Sequence, residues 1–211
     1  MAEATRPTLL LLHGPGQNPT AWQSVVGYLN PEWPMFAPWI KGLKPIDKDD
    51  FAMATAVADL GNLFEMRGIE QADLVGYSIG GAVALHAAAE FPEIIRHLVL
   101  VSTPVVPSVA QLKMTRRMMA FMPPAAFDQV PKELVLRALD ALMESDLTTD
   151  LDRVTTPTLV VTAQGDPAAQ AALALFEDKD YAHLVTLDSP TPDLLSSAPE
   201  QLAQAITEFV A

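Results

Sequence analysis

The stretch Leu74-Val75-Gly76-Tyr77-Ser78-Ile79-Gly80-Gly81-Ala82 joins an apolar run to small and apolar helix formers through Gly-x-Ser-x-Gly. A strand that turns sharply into a helix leaves no room for side chains two residues either side of the serine, so glycines stand there. The same turn strains the backbone and pushes the Ser78 hydroxyl out at the top of a sheet. The motif alone recurs by chance in many chains. Its setting here, an apolar strand before and a helix after, predicts a nucleophile elbow.

Short apolar runs alternate with helical patterns along the chain, the signature of a mostly parallel sheet with helices on both faces. Strands are expected at residues 8–12, 35–39, 73–75, 97–101, 158–162 and 184–187. Helices are expected at 19–29, 49–67, 79–90, 167–176 and 200–210, the second capped by Asp49 or Asp50. Residues 104–150 break the alternation. They contain Pro104, Pro107, Pro123, Pro124 and Pro131, with helical stretches at 108–121 and 132–144. This predicts one domain over 1–211 with a short helical cap inserted at about 104–150. The cap segment Lys113-Met114-Thr115-Arg116-Arg117-Met118-Met119 mixes cations with flexible apolar side chains. It is read as a helix that buries its methionines and leaves its cations in water.

Composition narrows the classes of function. Of 211 residues, 50% are hydrophobic and 18% charged, enough for a sizeable core. A net charge of −13 argues against nucleic acid and anionic membrane surfaces as partners. With no cysteine the chain has neither disulfides nor thiolate chemistry, which fits a reducing compartment. The first residues are too polar for a signal peptide, and no apolar run approaches the ~18 residues of a membrane span. The expectation is a soluble cytoplasmic protein. No Gly-x-Gly-x-x-Gly follows a strand, no phosphate loop is present and no His or Cys ligands cluster, so neither cofactor nor metal is expected.

In its order of elements the chain resembles the α/β-hydrolase superfamily over nearly its whole length. Leu9-Leu10-Leu11-Leu12-His13-Gly14 looks like the family's strand and His-Gly turn. Gly76-Tyr77-Ser78-Ile79-Gly80-Gly81 matches its elbow, and Leu98-Val99-Leu100-Val101-Ser102-Thr103-Pro104 the strand leading into the cap. Pro157 to Val161, through Gly165-Asp166-Pro167, matches the acid-bearing strand end, and Ala198-Pro199-Glu200 the terminal helix. Typical members carry two further strands before the His-Gly strand. The resemblance therefore implies a trimmed, six-stranded version of the α/β-hydrolase fold.

The resemblance implies a triad in the order Ser, acid, His. Asp166 takes the acid's place, and an Asp-Pro pair also suits a helix N-cap. The histidine position falls on Pro192. Near it stand only Ser189, Thr191 and Asp193, hydroxyls that cannot act as a base and an acid whose ordinary pKa is too low. Of the four histidines, His86, His97 and His183 are expected away from Ser78. His13 is expected to be a structural turn residue and is the only substitute base in reach. The resemblance assigns the two oxyanion N–H donors to Ile79 and Pro15, and proline has no N–H. Gly16 could stand in if the turn is re-registered. These departures predict a superfamily member that is hydrolytically weak or inactive and binds a small apolar or ester-type ligand, or a protein partner. Two alternatives stay open: a carboxylesterase-like serine hydrolase with an unorthodox base, and a binding protein that keeps only the fold.

Overall fold

The computed structural model describes residues 6–47, 49–105, 109–127, 130–145 and 147–211. Six strands form one sheet: β1 (Thr8–Leu12), β2 (Met35–Phe36), β3 (Ala72–Tyr77), β4 (Ile95–Val101), β5 (Thr158–Ala163) and β6 (Ala182–Leu187). Their order is β2-β1-β3-β4-β5-β6, and every neighbouring pair runs parallel.

The near-continuous apolar runs of the central strands follow from burial on both faces. Along β1, Leu10 and Leu12 enter one core while Leu9 and Leu11 enter the other. Leu74 and Val75 of β3 divide in the same way, as do Leu98 and Leu100 against Val99 and Val101 of β4. On the first face lie α2 (Met53–Arg67) and α3 (Ile79–Glu90); the second is covered by α1 (Gln23–Val26), which follows a 3-10 turn at Pro19–Trp22, together with the two C-terminal helices at Leu194–Ser197 and Pro199–Val210. Helix α3 is apolar on all sides because it is buried on nearly all sides.

Between β4 and β5 the chain forms α4 (Val109–Phe121), a 3-10 turn (Pro124–Phe127), α5 (Lys132–Glu144) and α6 (Thr148–Arg153). Pro107 and the expected helix start at Ser108 lie outside the described residues. Phe127, Val130 and Val135 pack together with Trp39 and Met119. Helix α7 (Pro167–Leu173) follows β5, while α8 (Leu194–Ser197) and α9 (Pro199–Val210) follow β6.

The structure corrects several sequence expectations, and each correction has a local cause. Helix α2 starts at Met53, and its N-cap Ala52 contributes no side-chain bond. Asp49 and Asp50 do not cap it, because Phe51 first has to bury itself against Gly42, and Asp50 reaches across to Arg137 on α5. Strand β2 stops at Phe36 rather than 39, with Pro38 unable to donate to a ladder. The helix expected at 19–29 divides into the 3-10 turn and a single turn of α1, opened by Asn18, whose Oδ1 accepts the Thr20 N–H at 2.7 Å. Two of the three methionines of α4 are not buried: Met114 is 76% and Met118 59% exposed, Met119 is half-buried against Phe127, and only Leu112 of that helix is fully covered.

Candidate active site

Ser78 stands between β3 and α3 with φ 54° and ψ −118°, a conformation of positive φ that a non-glycine residue rarely adopts. Strain of this kind costs of the order of 1–3 kcal/mol and persists where the surroundings impose it. Here the Ser78 N–H is tied to Val101 O of β4 at 2.9 Å, and its carbonyl accepts from Gly81 and Ala82. The half-buried hydroxyl has no hydrogen-bond partner among the described residues. The Ile79 N–H begins α3 and, like other first-turn donors, has no intrahelical acceptor.

The turn after β1 accounts for a proline at the position where the resemblance implies an N–H donor. Gln17 N–H reaches back to Gly14 O at 3.4 Å, Pro15 occupies the second position and Gly16 the third at φ 73°. That is the arrangement of a type II turn, which favours proline second and requires positive φ third. Pro15 is thus suited to the turn's geometry and removes an N–H in the same step. The Gly16 N–H has no partner among the described residues, and Phe127 and Val135 close directly over Gly16.

His13 is fully buried. Its Nδ1 lies 2.9 Å from Gly14 O, and its Nε2 lies 3.3 Å from the Ile40 N–H. A carbonyl only accepts and an amide only donates, so Nδ1 carries the proton and the Nε2 lone pair is occupied. Its ring also meets Trp39 edge-on. Burial lowers its pKa to about 4, against the opposing effect of the Gly14 bond. No lone pair is left for a serine proton, so the weak substitute base has a structural place instead.

The other histidines are also committed elsewhere. His86 Nδ1 is 2.7 Å from Asp150 Oδ2, joining α3 to α6. His97 Nδ1 is 2.9 Å from the buried Asp73 at the start of the central strands. His183 sits on β6 against Phe209.

Asp166 caps α7, accepting the Ala169 N–H at 3.1 Å, and is almost fully buried. The loop after β6 lies alongside: Gly165 N–H donates to Ser189 O at 2.9 Å, and Ser102 Oγ donates to Pro192 O at 2.9 Å. Pro192, at the position where the resemblance calls for a histidine, thus meets the end of β4 through its carbonyl while its ring is exposed. Tyr77, next to Ser78, feels the charge of both loops. Its pKa is raised by burial and by the carboxylates of Asp193 and Asp166. Asp193 Oδ1 is buried and has no hydrogen-bond partner among the described residues. The composition of the loop marked Asp193 only as a poor base. Its place beside Tyr77 depends on the turn at 189–193, which has no periodic signature. Among the described residues, no group of three or more His, Asp or Glu side chains converges as metal ligands would. Nor is any helix among them long and apolar enough to cross a membrane.

A family model described as alpha/beta hydrolase fold matches residues 7–153, and the chain belongs to that family. An uncharacterized protein of Mycobacterium bovis is 36% identical over 98 residues, 46% of this chain and 29% of that protein. The pimeloyl-[acyl-carrier protein] methyl ester esterase of Pectobacterium carotovorum is 30% identical over 95 residues, 45% of this chain and 36% of the enzyme. Each match therefore spans about a third of the relative's length. Among solved structures, a thermophilic esterase from Thermogutta terrifontis superposes with TM-score 0.83 at 22% identity, covering 98% of this chain and 90% of that one. A bromoperoxidase from Bacillus anthracis superposes with TM-score 0.84 at 15% identity, covering 98% and 92%. At these identities the likeness is one of fold.

The buried imidazole has a consequence for stability. His13 titrates near 6.5 when unfolded and near 4 when folded. Between those values the unfolded state binds more protons, so stability falls as pH drops from 6.5 toward 4. The full effect is about 3 kcal/mol at 1.36 kcal/mol per pH unit. Urea unfolding at pH 7 and pH 4.5 is expected to show a smaller pH-dependent loss in His13→Gln than in the wild type. Equal losses would mean that burial does not hold the imidazole neutral.

Proposed function

We propose that this α/β-hydrolase has lost its general base, cleaves esters slowly or not at all, and uses the remaining site to bind a small apolar or ester-type ligand or a protein partner. The observation that carries this reading is the loop after β6. It runs beside Asp166 and the end of β4, and it carries Pro192, the residue onto which the resemblance puts the histidine. A base must take the Ser78 proton and return it to the leaving group. The committed ring nitrogens of His13 support the same reading. Losing a triad member leaves ~10³–10⁴-fold catalysis over water. A missing oxyanion donor costs a further ~10²–10³.

One observation favours the active alternative. Ser78 keeps its strained backbone, its hydroxyl has no hydrogen-bond partner among the described residues, and the Ile79 N–H follows it at the start of α3, as a working nucleophile requires. Esters are the substrates to try, because the Pectobacterium relative is named a methyl ester esterase and the Thermogutta neighbour an esterase.

The deciding experiment is fluorophosphonate labelling of the wild type beside Ser78→Ala, with p-nitrophenyl acetate and butyrate hydrolysis on the same samples. Folding is checked by circular dichroism. The expected result is labelling and turnover no faster in the wild type than in the variant. Rapid labelling that disappears in Ser78→Ala would overturn the proposal and send the search to an unrecognised base.

A further inference from the structure

Strand β6 ends the sheet, flanked by β5 on one side and by no strand on the other among the described residues. The carbonyls of Tyr181 and Leu187 accept from Thr158 and Gln164 on the β5 side, so odd-numbered residues of β6 turn their N–H and C=O groups inward. Alternation then aims the N–H and C=O groups of Leu184 and Thr186 outward. The strand Ala182-His183-Leu184-Val185-Thr186-Leu187 contains no proline, lysine or carboxylate, the devices that usually blunt an edge, and Leu184 is 37% exposed.

We propose that β6 is a self-association edge, at which two copies of this chain pair antiparallel through Leu184 and Thr186. A second copy fits better than an unrelated strand for two reasons, charge and symmetry. In a chain of net charge −13, most of the surface repels its own copy, whereas residues 182–187 carry no formal charge with His neutral. When Val185 lies on the two-fold axis, Leu184 faces the partner's Thr186 and Thr186 faces the partner's Leu184. Each of these pairs exchanges two hydrogen bonds, so all the outward groups of Leu184 and Thr186 are satisfied. A shift toward the N-terminus meets the Ala182 N–H, already bound to Lys179 O at 3.0 Å, and sets Asp180 opposite the partner's Asp188. A shift toward the C-terminus recruits Asp188, where Ser189 N–H turns back to Leu187 O and the strand has ended.

The neighbouring surface agrees with this register. An open cavity of about 750 Å³ lies between β6 and α9, with Val185, His183 and Phe209 among its walls. Pairing brings the partner's Leu187 opposite His183 on that same face and extends its apolar floor. The interface is short, so the dimer is expected to be weak, with a dissociation constant on the order of 10 µM.

Sedimentation equilibrium at ~1 µM to ~500 µM tests the assembly, and a monomer–dimer equilibrium is the expected result. Thr186→Pro deletes one outward N–H at an edge position where proline is tolerated. It should leave circular dichroism unchanged, lower melting only by the loss of the Thr186–Thr162 hydroxyl bond at 3.2 Å, and weaken dimerisation at least ~10-fold; Thr186→Val, which keeps the N–H, serves as the control for that bond. The absence of cysteine from the chain permits a register test. Opposed residues at the axis have Cα atoms ~4.5 Å apart, within disulfide reach. Under mild oxidation Val185→Cys should form a covalent dimer much faster than Leu184→Cys. A wild type that stays monomeric throughout, a dimer indifferent to Thr186→Pro, or equal crosslinking of the two cysteine variants would each overturn the proposal.

Discussion

Pro192→His is expected to raise p-nitrophenyl acetate hydrolysis at least ~10²-fold over the wild type, and adding Ser78→Ala should abolish the gain. The reason lies in what the site already holds. Ser78 is pushed into the elbow conformation, the Ile79 N–H has no acceptor among the described residues, and Asp166 is buried beside the β6 loop through the Gly165–Ser189 bond. The Pro192 carbonyl is anchored to Ser102, and that bond uses no group that the substitution removes. A histidine there keeps the backbone anchor and adds a base with an ordinary pKa near 6.5. Activity should then rise with pH through that region, which distinguishes a new general base from a nonspecific increase. If residue 15 holds the second oxyanion position, the gain should stay short of a full triad, since proline has no N–H and one such donor is worth ~10²–10³. Adding Pro15→Ala should increase it further if the type II turn survives. No gain from Pro192→His in a folded variant would mean that the loop no longer directs residue 192 at Ser78.

The two prolines illustrate what the sequence discloses and what it conceals. Both are visible in the chain alone, because the resemblance implies an N–H donor at residue 15 and a histidine at residue 192, and proline supplies neither. Why Pro15 fits became clear only from the turn it builds with Gly16 at φ 73°, and the role of His13 only from the Ile40 N–H on its Nε2. Residue 40 follows an irregular stretch after β2, whose course no periodicity reports.

The sheet follows a similar division. The cores of β1, β3, β4 and β5 were legible because burial on both faces demands uninterrupted apolar runs. Their ends were less so. Strand β4 begins at Ile95 and β6 at Ala182, two residues before the patterns suggested, because pairing with a neighbour extends beyond the hydrophobic run. Helix α4 is the clearest failure of pattern reading. Its methionines resemble core residues by type, yet Met114 and Met118 face outward and Met119 packs only on the small cluster around Phe127, so that Leu112 alone meets the main core.

Gly76→Ala is expected to be strongly destabilising. A Cβ at residue 76 would stand 2.3 Å from Gly80 O and 2.5 Å from Gly81 Cα. Both are backbone atoms of α3, so no rotamer change relieves the contact. The helix cannot retreat either, because Gly80 itself is wedged against the carbonyls of Leu12 and His13, where its own Cβ would stand 2.5 Å away. Strand β1, strand β3 and the start of α3 are thus held at glycine distance, and that approach fixes the position of Ser78. Displacing α3 would uncover a helix whose side chains fill the main core, so the cost should exceed ~4 kcal/mol, a large part of a domain's ~5–15. For a chain of this size, that corresponds to a fall in melting temperature of about 10 °C or more. Gly27→Ala provides the control. Its Cβ would meet nothing nearer than 3.6 Å, so its stability should stay within about 1 kcal/mol of the wild type. Gly81→Ala separates the two kinds of conflict, since its Cβ would strike the Thr103 side chain, 1.8 Å from Oγ1. Thr103→Ala should partly rescue Gly81→Ala and leave Gly76→Ala unrescued. Similar melting of Gly76→Ala and Gly27→Ala would show that the elbow has slack, and that the position of Ser78 is not set by the approach of α3 to β3.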